Sequence, residues 1–272
     1  EYLSGKIKGS SSVCAGPAGW NLVDFACLTA DYHRNFGRGG SGAIFGSKNL
    51  VAVTAYGKEV VSPYDAEKFK TLGQELDRLI KDSVEDPNRT ASFRPKTGTT
   101  WWLDRAFNGK YLGVEGGYLP WHNFDEGSFD QDDYRRVSTD AFLEIAGKHN
   151  VCNKCRHIFC TRTAKVDSGP YAGEGVRPEF ETIALWINCC ILDREAIFHL
   201  NYLSNELGID TMTFGSVMAA AMELAEKGFL RKYGSALKFG DAAEMVRALK
   251  SIAYQSDDLG RLLGNYTDRV IA

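Results

Sequence analysis

The sequence lacks three features that would assign it to a special class of protein. It has no surplus of one charge, because 32 Lys and Arg against 35 Asp and Glu give a formal net charge of -3, and a general nucleic-acid binder is usually basic. It has no apolar run of about 18 residues, so no membrane helix is predicted. Its first ten residues contain no apolar signal region. We therefore expect a cytoplasmic protein with no nucleic-acid or membrane partner.

Length and composition describe an ordinary folded chain. Of the 272 residues, 44% are hydrophobic and 25% charged, which is typical of globular proteins and excludes disorder throughout. The chain is rich in glycine and strand-like up to about residue 60 and mostly helical beyond it. The sequence therefore predicts an α+β fold, with a β-rich domain over residues 1–60 and a mainly helical domain over residues 61–272.

The β-rich part contains two strand-like segments and a glycine-rich one. The strands are predicted at Ser11 to Ala15 and Asn49 to Tyr56, and the alternation in the second indicates one buried face. Five glycines lie between residues 37 and 46, too many for a stable helix interior, so a loop is predicted there. Its N–H groups and Arg38 could bind an anion. A tight structural crossover explains the glycines about as well.

The helical part divides into a patterned and an unpatterned portion. Ser62 and Pro63 are predicted to open a first helix. Residues 83–130 show little periodicity and many aromatic side chains, so we interpret them as a long loop. Its aromatic-rich part, residues 101–124, could shape a substrate channel, and replacing Trp121 by Ala would then change substrate preference. From residue 193 onward the apolar spacing predicts successive helices.

The junction between two of these later helices carries helix-end signals. Gly208 is predicted to end one helix, and Asp210 or Thr211 to cap the next. Asp241 is predicted to open the last patterned helix. These signals are fully explained by helix capping, although Asp210 could also accept hydrogen bonds from a bound heterocycle.

Three cysteines are concentrated between residues 152 and 160. Cys152 and Cys155 form a Cys-x2-Cys pair, and Cys160 follows shortly after. Iron–sulfur clusters and structural zinc sites both use this arrangement, and the spacing does not separate them. His157 could complete a zinc site. The other four cysteines, Cys14, Cys27, Cys189 and Cys190, are predicted to be core residues, since free cysteine packs as a small hydrophobe.

Two acids stand beside an aromatic residue just before an apolar run. Glu179 and Glu181 flank Phe180. A carboxylate at the mouth of a buried segment can act as a general base. Acids in the first turn of a helix are the simpler explanation, and we favour it without further context.

Taken in order, these segments resemble the tungsten-containing aldehyde ferredoxin oxidoreductase family. The resemblance lies in the order and spacing of Gly16-Pro17-Ala18-Gly19, Gly37 to Leu50, the cysteine cluster, Pro178 to Thr182, Leu207 to Thr211 and Ala221 to Gly228. It covers nearly the whole chain. It implies an oxidoreductase that converts aldehydes to carboxylic acids and passes electrons to ferredoxin.

The resemblance also implies cofactors and their ligands. The family holds tungsten, or molybdenum in its place, between two pyranopterins beside a 4Fe-4S cluster. By motif, Arg38, Gly39, Gly40 and Gly42 would line the phosphate end of a pterin, and Asp210 would bind a pterin ring. Cys152, Cys155 and Cys160 would bind the cluster. Glu179 would be the catalytic proton acceptor near the metal.

The same comparison implies that the chain is an internal fragment. It resembles the end of the family's first domain followed by the second, while the fourth cluster cysteine would come from a later domain. A completing polypeptide or a homodimer is therefore an expected partner. The chain departs from the family pattern at Arg156, at Asn205 and in having four residues between Cys155 and Cys160. A zinc-stabilised binding module and a fragment without cofactor are the alternatives.

Overall fold

The computed structural model of the chain describes residues 7–30, 34–59, 61–89, 92, 94–109, 117–126, 129–150, 160–231, 237–266 and 269–270. The strands are β1 (Ser11–Ala15), β2 (Leu28–Ala30), β3 (Arg34–Phe36), β4 (Ala52–Ala55), β5 (Ala146–Asn150), β6 (Thr161–Val166) and β7 (Gly173–Val176). The helices are α1 (Pro17–Trp20), α2 (Ser41–Ser47), α3 (Ala66–Glu85), α4 (Arg94–Thr97), α5 (Trp101–Asn108), α6 (Gln131–Arg136), α7 (Thr139–Glu144), α8 (Phe180–Ile187), α9 (Arg194–Leu207), α10 (Thr211–Glu226), α11 (Ala242–Tyr254) and α12 (Asp258–Leu263). This mixture confirms the predicted α+β class.

The first sheet is antiparallel and has the order β3-β2-β1-β4. Val13 of β1 pairs with Ala30 on one side and with Val53 on the other. The prediction for Ser11 to Ala15 is confirmed, and the second predicted strand is present in shorter form. The predicted alternation is present, with Ala52 and Thr54 half-buried and Val53 and Ala55 exposed, but neither face is fully buried.

The glycine-rich segment forms a helix where a loop was predicted. Helix α2 begins at Ser41 and contains Gly42 and Gly46. A Cβ at Gly42 would lie 2.5 Å from the carbonyl oxygen of Cys27, and one at Gly46 would lie 1.9 Å from that of Gly19. Close backbone packing therefore requires glycine at both positions, and tertiary contact outweighs low helix propensity.

Two other expectations for the middle of the chain need correction. Helix α3 begins at Ala66, because the Asp65 side chain accepts a hydrogen bond from the Lys68 N–H and caps it, and so Ser62 and Pro63 lie before the helix. The stretch expected to be a long loop contains helix α5, whose Trp101, Leu103, Ala106 and Phe107 are buried. Short helices carry too few turns for their apolar spacing to stand out.

The helices from residue 180 onward form the main core with the N-terminal segment. Buried side chains of α8, α9, α10 and α11 pack together with Ala18, Val23, Phe25 and Ala26. The amide of Asn21 donates to the carbonyl of Ala253, 2.9 Å away. Residues on both sides of the predicted boundary near residue 60 therefore share one hydrophobic core.

The second sheet is antiparallel and has the order β5-β6-β7. Asn150 pairs with Thr161, so residues 151–160 connect β5 to β6. The cysteine cluster lies on this connection. Cys152, Cys155 and His157 fall outside the described residues, whereas Cys160 is described and half-buried.

Candidate functional site

Backbone contacts bring the N-terminal segment to the start of α10. The N–H of Cys27 donates to the carbonyl of Gly208 at 2.8 Å, and the N–H of Asp210 donates to that of Phe25 at 3.1 Å. Gly208 ends α9 with a φ of 73°, as predicted for a C-terminal glycine. A Cβ at Gly16 would lie 2.5 Å from the carbonyl carbon of Leu207. Two of the predicted motifs are therefore in direct contact.

The Asp210 carboxylate is buried at this junction and caps α10. It accepts hydrogen bonds from the N–H of Met212 at 3.1 Å and from the N–H and hydroxyl of Thr213 at 3.3 and 2.5 Å. Arg38 lies 3.6 Å from it, with 67% of its side chain exposed against 5% for Asp210. The predicted cap is confirmed. Three of the about four acceptor positions of the carboxylate are therefore filled within its own helix, and Arg38 is the exposed charged group beside it.

The glycines predicted to line an anion site have different surroundings. Gly39 and Gly40 both adopt positive φ, 93° and 70°. A Cβ at Gly40 would meet the carbonyl oxygen of Asp24 at 2.5 Å, while one at Gly39 would meet nothing within 4 Å. The N–H of Gly42 donates to the carbonyl of Ala26. Packing therefore explains Gly40 and Gly42, and Gly39 next to Arg38 remains open to a ligand.

Asn205, which departs from the resembled motif, is integrated into the same junction. Its side-chain oxygen accepts from the Asn35 amide at 2.5 Å, and its carbonyl accepts from the Thr29 hydroxyl at 3.1 Å. Thr29 also donates to Asn35 at 3.0 Å. Both contacts use Asn205 as an acceptor, through its side-chain oxygen and its backbone carbonyl.

A second cluster forms where Cys160 enters β6. The carbonyl of Cys160 accepts from the N–H of Thr99 at 3.0 Å and from Nη2 of Arg177 at 3.5 Å. Nη1 of Arg177 donates to the carbonyl of Thr97 at 2.6 Å and to the hydroxyl of Thr100 at 3.0 Å. Arg177 is 1% exposed. The sequence interpretation gave Arg177 no role, because neither its position before Pro178 nor the composition indicates burial.

Glu179 stands directly after this buried arginine. It is half-buried at the N-cap position of α8 and makes no side-chain capping bond there. Electrostatic attraction to Glu179 partly offsets the burial that lowers the pKa of Arg177. Glu181 lies in the first turn of α8 and is exposed. The two acids therefore differ in exposure, and of the two it is Glu179 that interacts with the buried Arg177.

The two clusters are connected through α8 and α10. The hydroxyls of Thr182 and Thr211 lie 2.7 Å apart, each in the first turn of its helix. A Cβ at Gly215 would lie 2.9 Å from Cβ of Leu185 and 3.0 Å from Cδ1 of Trp186. This close packing holds the start of α8, and so Glu179, at a set position relative to Asp210.

The remaining cysteines behave mostly as predicted. Cys27 and Cys189 are buried, which confirms their core assignment, while Cys14 and Cys190 are half-buried. Burial raises the pKa of Cys27 to about 12 and that of Cys190 to about 11. These thiols therefore remain protonated at neutral pH, which makes them poor nucleophiles.

The aromatic side chains of the middle region pack in two groups. Trp102 is stacked on Trp101, with ring centres 4.1 Å apart, and lies 6.4 Å from Phe180. Trp121 stacks on Phe129 at 4.5 Å. Trp102 is therefore the one of these residues that lies near the start of α8, and the role of Trp121 in a channel stays a prediction.

The described residues contain neither a ready-made metal site nor a membrane-spanning helix. No group of three or more His, Cys, Asp or Glu in them is arranged to hold a metal ion, and two of the three predicted cysteine ligands lie outside them. No helix in the described part of the chain has both the length and the apolar content needed to cross a membrane.

Comparison with known families places the chain. A family model described as "Aldehyde ferredoxin oxidoreductase, domains 2 & 3" matches residues 76–272, and one described as "Aldehyde ferredoxin oxidoreductase, N-terminal domain" matches residues 1–57. The chain belongs to the aldehyde ferredoxin oxidoreductase family. Residues 58–75, which include the first half of α3, lie between the two matches.

Curated members of the aldehyde ferredoxin oxidoreductase family are longer than this chain. The tungsten-containing aldehyde ferredoxin oxidoreductase of Pyrococcus furiosus is 36% identical over 233 residues, which are 85% of this chain and 35% of that protein. Its counterpart in Thermococcus kodakarensis is 35% identical over 248 residues, 89% of this chain and 38% of that protein. The WOR-like subunit of the aliphatic sulfonate oxidoreductase of Pyrococcus furiosus is 29% identical over 274 residues, 99% of this chain and 41% of that protein.

A solved structure shares the fold of this family member. It is the active-site complex BamBC of benzoyl coenzyme A reductase in complex with 1,5-dienoyl-CoA. The TM-score is 0.78 at 20% sequence identity, covering 99% of this chain and 40% of that chain. At this identity the likeness concerns the fold alone. The chain spans less than half the length of each of these four relatives.

Proposed function

We propose that the full-length protein containing this chain oxidises aldehydes to carboxylic acids, as expected for its family. Water supplies the added oxygen, and each turnover releases two protons and two electrons. The electrons would pass through a 4Fe-4S cluster to ferredoxin. The observation that carries the proposal is the contact of Arg38 with Asp210. Two residues assigned to pterin binding from separate motifs lie side by side in a member of this family.

The residues around Arg38 fit the phosphate of a pterin. Arg38 is exposed and can move, Gly39 leaves open space beside it, and the buried Asp210 lies behind them. A guanidinium binds phosphate through paired hydrogen bonds. Arg38 and Gly39 would bind the phosphate, while Gly40 and Gly42 allow the close packing at the start of α2. Asp210 would accept from a pterin ring once Arg38 has moved.

The residues around Cys160 fit an anionic metal centre. Arg177 is a buried cation whose Nε has no hydrogen-bond partner in the part of the chain that the structure describes. Buried charges are normally paired. A cluster bound by thiolates carries net negative charge, and Cys152, Cys155 and Cys160 would supply three of its ligands. The fourth would come from the rest of the protein or from a completing polypeptide.

When bound, a tungsten or molybdenum bis-pterin supplies the two-electron oxidation and the cluster transfers the electrons singly. The chain's own residues then have two tasks. Arg38 and Asp210 orient the pterin. Glu179 would accept the proton released as water adds to the aldehyde carbonyl, since it is half-buried at the start of α8 and next to the buried Arg177 segment. General bases of this kind typically contribute about 10²- to 10⁴-fold in rate.

The test uses the full-length protein, prepared without air in medium containing tungstate. Tungsten, iron, acid-labile sulfide and pterin are measured, followed by aldehyde-dependent reduction of a viologen dye and of ferredoxin. Glu179→Gln should lower kcat by at least about 100-fold with metal content unchanged. Glu181→Gln is the matched control, because this exposed carboxylate lies two residues away, and it should keep its activity.

Each part of the proposal can fail separately. A folded wild-type protein with zinc and no iron favours the zinc-stabilised module, in which His157 would join the three cysteines as a ligand. A folded protein that contains neither zinc nor iron favours the other alternative, a fragment without cofactor. Full activity of Glu179→Gln would remove Glu179 from the reaction while leaving the family's chemistry intact. Oxidation of an aliphatic sulfonate without oxidation of aldehydes would replace the proposed substrate.

A further inference from the structure

Arg177 is a charged residue in the interior of the protein, and its contacts join three segments. It is 1% exposed. Its guanidinium donates to the turn that precedes α5, at Thr97 and Thr100, and to the carbonyl of Cys160 at the start of β6. Its own backbone N–H donates to the carbonyl of Arg162 at 2.9 Å. Arg177, which follows β7 and precedes Glu179, therefore contacts both the start of β6 at Cys160 and the turn before α5.

The packing around this guanidinium leaves little room for adjustment. A Cβ at Gly98 would lie 2.3 Å from Nη2 of Arg177 and 2.4 Å from the carbonyl oxygen of Cys160. The N–H of Thr99 donates to the same Cys160 oxygen, and its hydroxyl accepts from the N–H of Phe180 at 3.0 Å. Gly98 and Thr99 thus fix both the cysteine and the start of α8 against Arg177.

The charge of Arg177 is not matched by the oxygens that it contacts. Its hydrogen-bond acceptors among the described residues are carbonyl and hydroxyl oxygens, all neutral, and its Nε is buried without a partner there. Arg162 adds a second positive charge nearby, and Glu179 is the carboxylate that attracts it. A buried cation whose hydrogen-bond acceptors are all neutral favours an anion beside it.

We propose that Arg177 is a positioning residue that fixes Cys160 and places a buried positive charge next to this ligand, thereby favouring the reduced, more negative state of the metal centre that the cysteines would hold. The inference rests on the proposed function, because it needs an iron–sulfur cluster at Cys152, Cys155 and Cys160. It goes beyond that function by naming a residue that sets the electron affinity of the cluster.

The sign of the effect follows from electrostatics. Adding an electron makes a thiolate-bound cluster more negative, and a nearby positive charge in a medium of low dielectric stabilises that state. The guanidinium of an arginine remains protonated in proteins at neutral pH. The cluster should therefore have a higher reduction potential with Arg177 than without it.

The test compares four full-length, iron-loaded proteins: wild type, Arg177→Gln, Arg177→Lys and Arg162→Gln. Iron content and thermal unfolding are measured first, and the cluster is then titrated at pH 7 with its electron paramagnetic resonance signal as readout. Arg177→Gln should reduce the ratio of reduced to oxidised cluster about tenfold at a fixed potential, which equals about 59 mV for one electron. Arg177→Lys keeps the charge, so its ratio of reduced to oxidised cluster should stay within about threefold of that of the wild type.

Arg162→Gln is the matched control for loss of one positive charge. The guanidinium of Arg162 is partly solvated and donates to the carbonyls of Gly147 and Lys96. Because solvent screens its charge more than that of Arg177, Arg162→Gln should change the ratio of reduced to oxidised cluster by less than about threefold. Thr100→Val removes a hydrogen bond to Arg177 and keeps the charge. It should lower thermal stability while the ratio of reduced to oxidised cluster stays within about threefold of the wild type. This result would separate the effect of the charge from that of structural support.

The outcomes distinguish this inference from the function on which it rests. A wild-type protein without iron overturns both. A cluster whose potential is the same in wild type and Arg177→Gln overturns the role of Arg177 alone. If Arg177→Gln does not fold, Arg177→Lys decides, because a tenfold or larger shift with the charge retained contradicts the proposal. Equal shifts in Arg162→Gln and Arg177→Gln contradict it as well.

Discussion

Replacing Gly46 by alanine tests whether the glycine-rich segment is held by its own packing. The new Cβ would lie 1.9 Å from the carbonyl oxygen of Gly19 and 2.7 Å from its carbonyl carbon. Both are backbone atoms, so no side chain can rotate away, and α1 must move from α2. Overpacking costs about 1–3 kcal/mol and occasionally more, whereas alanine gains about 1 kcal/mol over glycine in a helix. Because this contact is far closer than van der Waals distance, the upper end of that cost applies, and the net expectation is a loss of about 2 kcal/mol.

The assay is urea unfolding of the purified protein, followed by tryptophan fluorescence. Gly46→Ala should lower the midpoint with an unchanged m-value, which marks a change in stability alone. Gly37→Ala is the matched control, since a Cβ there meets nothing within 4 Å, and its stability should change by less than about 0.5 kcal/mol. A Gly46→Ala protein as stable as the wild type would refute the reasoning, because helix propensity would then outweigh the contact.

Two further predictions concern Asp210 and Cys27. Asp210→Ala should lower the free energy of unfolding by about 1–2 kcal/mol through loss of the α10 cap, as measured by thermal unfolding. Asp210→Asn should cap nearly as well but bind less pterin, as measured by a pterin assay. Normal pterin content in folded Asp210→Asn would contradict the assignment of Asp210 to pterin binding. Burial raises the pKa of the Cys27 thiol from 9.0 to about 12, so the unfolded chain loses this proton first. The thiol's contribution to stability is therefore complete below pH 9 and is lost as the pH rises towards 12, by at most about 4 kcal/mol. Cys27→Ala should flatten the decline in urea stability between pH 8 and 11, and an unchanged slope would count against it.

Local signals in the sequence predicted the elements whose cause is local. Gly208 ends α9 in the left-handed conformation, and Asp210 and Asp241 cap the helices that follow. A capping side chain acts within three or four residues, so its effect can be inferred without the fold. The strand from Ser11 to Ala15 was predicted with the same bounds for a similar reason.

Contacts between distant segments decided what the sequence did not predict. Helix α2 forms although Gly42 and Gly46 disfavour it, because both lie against backbone atoms of Cys27 and Gly19. The burial of Arg177 depends on the turn at Thr97, which is far away in sequence. For the same reason, the local patterns at Arg38 and Asp210 allowed a ligand without requiring one, and their assignment to a pterin came from the family resemblance.

The position of Glu179 relative to Asp210 depends on how closely α8 and α10 approach. Gly215 allows that approach, since a Cβ would lie 2.9 Å from Leu185 and 3.0 Å from Trp186, and the hydroxyls of Thr182 and Thr211 join the two helix starts at 2.7 Å. A general base must lie within hydrogen-bond reach of the proton it accepts, and small displacements reduce rate strongly. Substitutions that separate these helices would therefore impair proton transfer and pterin orientation together, although none of the residues at this contact is assigned to bind a cofactor.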